Sequence, residues 1–210
     1  MRKAILTKAL LALTGAVPLV CLAESTFTTG AGSPLTATAH VDFQITIPRF
    51  IFLRVGTGTG TAASGWATGG SVDPIAFAPT AAQVGSGALA ATALSGDLGN
   101  GTETAVVVAN NGNVTFSSQT LGALSDGAGD NISYTQITTT PAHNTTGTTL
   151  LAPALADAAT TTITLTAVGK VVQQDAKWTY TYVNTLVPAQ GTYGGVNSNN
   201  SRVTYTVSVP

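Results

Sequence analysis

From Leu35 to Ile47 the chain alternates without a break. Leu35, Ala37, Ala39, Val41, Phe43, Ile45 and Ile47 fall on one face of an extended backbone, and Thr36, Thr38, His40, Asp42, Gln44 and Thr46 fall on the other. A period of two suits a strand with one buried face and conflicts with the 3.6-residue period of a helix. The spacing therefore predicts a long half-buried strand here. It ends at Pro48, which has no N–H for a sheet ladder.

The same period recurs downstream. Thr160 to Val168 alternates through Ile163, Leu165 and Ala167; Trp178, Tyr180 and Tyr182 share a face within Ala176 to Val183; Val203, Tyr205, Val207 and Val209 share one within Ser201 to Val209. Phe50 to Val55 is a compact apolar run, expected as a strand covered on both faces. Ser71 to Phe77 reads as a short strand weakened by Pro74, Leu89 to Leu94 as a weak strand, and Ile132 to Thr138 as a further one. Thr104 to Ala109 and Asn113 to Gln119 flank Asn110-Asn111-Gly112, a hairpin signal, because type I′ turns need positive φ at both central positions. Thr80 to Ala82 and Pro153 to Ala159 could hold a helical turn and nothing longer. The expectation is an all-β domain of roughly nine to eleven short strands, a sandwich rather than a barrel.

The first residues read differently. Arg2, Lys3 and Lys8 are followed by an apolar run from Ala9 to Leu22, relieved only by Thr14, Gly15 and Pro18, and then by Ala23 and Glu24. Basic start, apolar middle and small residue before the cut are the parts of a secretory signal peptide. The run is too short and broken to cross a bilayer core of about 30 Å. Cleavage is expected between Ala23 and Glu24, giving a signal peptide over residues 1–23 and one β-sandwich domain over 24–210. An acylated Cys21 is the rival, but Leu19 and Val20 before it are poor residues for that signal. The mature chain is expected outside the cytoplasm, extracellular or at the cell surface, or in the periplasm, with no transmembrane segment.

Removing the leader takes away the only cysteine and leaves Arg49, Arg54, Lys170, Lys177 and Arg202 against nine acidic residues, a net charge of about −4. No basic patch remains for nucleic acid. The domain must hold without disulfides, which its length allows. A surface of hydroxyls and amides with so little charge does little to keep copies apart.

No catalytic constellation is present. His40 and His143 have no cysteine or histidine at metal-ligand spacing, and no Gly-x-Ser-x-Gly elbow marks a nucleophile. Two Gly-rich loops concentrate carboxylates, Asp97 with Glu103 and Asp126 with Asp130, so these four are candidate calcium ligands. Asp, Asn and Gly are also ordinary turn residues, and turns are the simpler reading. Trp178, Tyr180 and Tyr182 fit a core cluster better than a sugar platform. Trp66, alone in the Gly/Thr/Ala/Ser loop from Thr57 to Gly70, is the candidate ligand contact. No cofactor is expected.

Pro188-Ala189-Gln190-Gly191-Thr192-Tyr193, a Gly/Asn loop, and the closing strand Val203-Thr204-Tyr205-Thr206-Val207-Ser208-Val209 resemble the ending of Gram-negative fimbrial-type and spore-coat-U-like surface subunits. Asn113 to Thr120 followed by Ile132-Ser133-Tyr134 is similar to their middle hairpins. The resemblance implies an immunoglobulin-like sandwich and a non-enzymatic structural or adhesive subunit, partnered by its own copies or other surface subunits. Two departures stand out: the disulfide usual in chaperone-assembled pilins is absent, and Glu24 to Ser33 is a short Thr/Gly segment. A donor strand would then combine that segment with Leu35 to Ile47. The alternative is a secreted carbohydrate- or ligand-binding module using Trp66.

Overall fold

A computed structural model describes residues 25–32, 34–57, 60–61, 65–66, 69–145 and 147–210, with the backbone alone at 60–61 and 65–66. The expected signal peptide and its cut between Ala23 and Glu24 lie outside the described residues, as does the side chain of Trp66. The contacts divide the chain into two units, Met1–Ile47 and Pro48–Pro210.

The described residues of the second unit form twelve strands and no α-helix. These are β1 (Ile51–Val55), β2 (Gly60–Thr61), β3 (Gly65–Trp66), β4 (Leu89–Ala90), β5 (Thr102–Ala109), β6 (Val114–Gln119), β7 (Leu124–Ser125), β8 (Asn131–Ile132), β9 (Ile137–Ala142), β10 (Thr160–Leu165), β11 (Val172–Tyr182) and β12 (Thr204–Ser208). One turn of 3-10 helix, Tyr134–Gln136, precedes β9. The larger sheet runs β1-β5-β11-β4 with β9 also on β11; the second runs β10-β6-β12. Every strand pair is antiparallel. The protein is all-β, and the arrangement is consistent with a β-sandwich.

Alternation decides what lies between the two sheets. From β5 come Ala105, Val107 and Ala109; from β11 Val172, Ala176, Trp178 and Tyr180; from β6 Val114 and Phe116; from β10 Leu165. Trp178 is fully buried, stacks on Phe116 with ring centroids 5.9 Å apart, and donates its indole N–H to the Leu150 carbonyl at 2.8 Å. Burying a large apolar side chain stabilises by roughly 1.5–3 kcal/mol, so this facing row supplies much of the cohesion. The Trp178, Tyr180 and Tyr182 face belongs to the core, as its period suggested.

Several sequence expectations are corrected. The Asn110-Asn111-Gly112 turn does not close a hairpin. β5 and β6 belong to different sheets, so the turn carries the chain across the core instead. Gly112, at φ +100°, supplies the left-handed conformation that a side-chain-bearing residue rarely adopts. Turn chemistry marks where the backbone reverses; it does not say whether the flanking strands then pair. Phe50 to Val55, expected to be covered on both faces, is an edge strand paired only with β5 and half-buried over most of its length. Ser71 to Phe77 forms no strand, and its backbone bonds go to the turn at residues 92–96. The weak strand near Leu89 shrinks to two residues. The run expected from Ala176 starts earlier, at Val172, and makes one eleven-residue strand.

In the first unit the largest correction appears. Leu35 to Ile47 forms no strand, and every described residue from 25 to 47 is exposed. Within it the Thr26 hydroxyl donates to the Thr38 carbonyl at 2.7 Å. A period of two says which face a strand would bury. It cannot supply the neighbouring strand, and without one the apolar row stays in water.

Candidate functional site

Among the described residues, the apolar row of Leu35 to Ile47 is a contiguous run of exposed side chains. Val41 is 75% exposed, Phe43 90%, Ile45 85% and Ile47 74%. Single exposed hydrophobes are ordinary, but a contiguous row of large ones marks an interaction surface. The stretch is exposed and forms no strand, so it can offer both backbone and side chains to a partner.

Within the second unit, one seam has matching properties. β1 and β12 are edge strands of different sheets and lie against each other. Their inward residues, Leu53 and Val55 on β1 and Tyr205, Val207 and Val209 on or just beyond β12, are only half-buried while packing on the core. The end of this seam is tied tightly. Asn110 accepts from the Phe50 N–H at 2.9 Å and donates to the Pro48 carbonyl at 2.7 Å. Arg49 donates to the carbonyls of Val209 at 3.2 Å and Pro210 at 2.5 Å, and Asn111 donates to Pro210 at 3.2 Å. On the other side of the turn, Asn113 accepts from Ala167 N–H at 2.9 Å. The polar side chains that seemed to specify a hairpin are spent on holding the start of β1 beside the end of β12.

The candidate calcium ligands fall at two places. Asp97 accepts from Thr104 through both oxygens, from the N–H at 2.8 Å and the hydroxyl at 2.5 Å. Glu103 points along the core face of β5 and is 6% exposed. Burial, with Asp73 and Asp97 adding, pushes its carboxyl up to about 7. Asp126 accepts from the N–H groups of Ala128, Gly129 and Asp130 at 2.8–3.0 Å, and these bonds hold its carboxyl below the usual range. Asp130 thus meets Asp126 through its backbone N–H. Among the described residues, no group of three or more His, Cys, Asp or Glu is arranged to hold a metal ion.

Trp66 lies in β3, paired through its backbone with Gly60 of β2 in a small hairpin inside the expected loop. His40 and His143 are both exposed. Among the described residues no helix is long and apolar enough to cross a membrane. Two anchors escaped the sequence reading. Asn184, 1% exposed and at φ +53°, holds the turn at residues 83–87 through three hydrogen bonds. Asp175, 4% exposed, gathers Asn144 and Thr145. Asparagine's tolerance of positive φ was the available hint for the first. Nothing local distinguishes the second.

The fold thus defines a class, an antiparallel all-β protein with an exposed apolar segment before its first strand. No protein-family model, curated protein or solved structure matches the chain.

Proposed function

We propose that this chain is an exported, non-enzymatic structural or adhesive subunit that assembles with its own copies at the cell surface by donating Leu35–Ile47 to a neighbour's immunoglobulin-like sandwich. The observation that carries this reading is the exposure of the whole alternating row, from Leu35 to Ile47, in a chain of low net charge. A strand added at an edge satisfies its own backbone and buries alternate side chains at once. β1 and β12, the last strands of their sheets, with half-buried apolar residues between them, supply an acceptor of the right chemistry. The resemblance of the closing strand to surface subunits points the same way.

The test is sedimentation and electron microscopy of purified chain beginning at Glu24, beside a Val41→Asp/Phe43→Asp variant. We expect concentration-dependent oligomers or filaments from the first. The variant should stay a folded monomer, because the altered residues make no core contacts. Equal assembly by both, or a first chain monomeric at high concentration, overturns the reading. Saturable binding on a glycan array by that monomer would favour the ligand-binding module.

A further inference from the structure

Glu103 is the odd member of a core row. It continues the inward face of Ala105, Val107 and Ala109 on β5 and sits in register with Trp178 of β11. No hydrogen bond from a described residue reaches its carboxyl. Among the described residues, the charged groups facing it are the acidic Asp73 and Asp97. Asp97 is pinned by Thr104, and Asp73 by the Thr57 N–H. The hydroxyls of Tyr180 and Tyr205 complete the surroundings, and both tyrosines are held protonated by burial. The cations on neighbouring strands, Arg54 and Lys177, alternate onto the other face of the sheet. Gly96 presses the adjoining turn against this carboxyl: a Cβ there would lie 3.1 Å from Glu103 Cγ and still closer to the Thr102 carbonyl.

That turn is what holds Ser71 to Phe77 down. Gly96 N–H donates to the Pro74 carbonyl at 3.3 Å, Thr92 N–H to the Ala76 carbonyl at 2.8 Å, and Ala76 N–H to the Ser95 hydroxyl at 2.9 Å. Ile75 and Phe77 pack half-buried on the core. A segment held by a handful of loop bonds and two half-exposed anchors opens more readily than a paired strand.

We propose that Asp73, Asp97 and Glu103 form a proton-operated latch on Ser71–Phe77. With Glu103 neutral the segment stays seated; with Glu103 ionised, repulsion from Asp73 and Asp97 loosens the segment and the turn beneath it. The direction follows from burial among like charges, since the neutral carboxyl is the form the closed corner tolerates. The latch goes beyond the assembly reading and does not depend on it.

Hydrogen exchange tests it, with opening constants corrected for the intrinsic rate at each pH. Between about pH 5.5 and about pH 8.5, the amides of Ala76, Thr92 and Gly96 should open about tenfold more or beyond, the size set by linkage to one shifted carboxyl. Amides in β6 and β10, which open with the whole fold, should keep higher opening free energies at every pH. Glu103→Gln should abolish the pH response at Ala76, Thr92 and Gly96, and Asp73→Asn, which keeps an acceptor for Thr57, should reduce it. A flat response in the native chain, an unreduced response in Glu103→Gln, or opening free energies at Ala76, Thr92 and Gly96 equal to those in β6 and β10 overturns the latch.

Discussion

The hydroxyl of Tyr180 on β11 lies 3.1 Å from that of Tyr205 on β12, so a single hydrogen bond joins the two sheets across their shared core. Tyr180 is 6% exposed and cannot replace that partner easily with water. Tyr205→Phe should therefore cost about 1–3 kcal/mol, the penalty of stranding a buried hydroxyl. The double variant Tyr180→Phe/Tyr205→Phe should recover part of the loss, because no orphan remains. Urea unfolding of the three chains checks both statements.

Trp178→Phe keeps most of the ring stack on Phe116 but removes the indole donor to Leu150. A loss of about 1–3 kcal/mol is expected from the unpaired carbonyl and the vacated volume. Trp178→Ala should cost about 3–5 kcal/mol. Tryptophan fluorescence cannot serve as the sole probe for these variants, so circular dichroism through thermal unfolding is the measurement.

Stability should fall as pH rises through the range in which Glu103 titrates. Its carboxyl is raised from 4.5 to about 7, so the folded chain keeps a proton that the unfolded chain has lost. This group's contribution is complete below about pH 4.5, declines towards about pH 7 and is flat above, a penalty on the order of 3 kcal/mol. Asp126 has the opposite sign: its lowered carboxyl contributes above the usual carboxylate range and is lost on acidification. Glu103→Gln should flatten the profile and be more stable than the native chain at about pH 8. Denaturant midpoints at several pH values decide this.

Asn110→Ala removes the two bonds that fix the start of β1 beside the β5–β6 turn. The expected cost is about 1–3 kcal/mol. The loss of protection should centre on β1, read by hydrogen exchange, with β9 and β11 retaining theirs.

Asp97 and Asp126 already spend their carboxylates on local donors, so millimolar calcium should leave the melting temperature unchanged. A rise that chelator reverses would show that the loops rearrange to bind.

Much of the fold was legible because strands write their pattern locally. The alternation at Thr160 to Val168, at Trp178 to Tyr182 and at Val203 to Val209 named the residues that meet in the core, since side chains two apart must share a face. The acidic loops were legible as turns for a similar reason: Asp126 bonds backbone two to four residues away.

Other features were settled by partners far along the chain. Asn110-Asn111-Gly112 fixed a reversal, yet only the placement of β10 and β12 around β6 decided that the reversal crosses between sheets. Glu103 looked like one more loop acid until β5 and β11 aligned and turned it into the core row. By itself the sequence determined that this is an all-β chain and that Leu35 to Ile47 has an apolar face to bury. Only the tertiary structure decided that this face is left exposed, because burial needs a neighbouring strand and pattern alone carries no information about where that neighbour comes from.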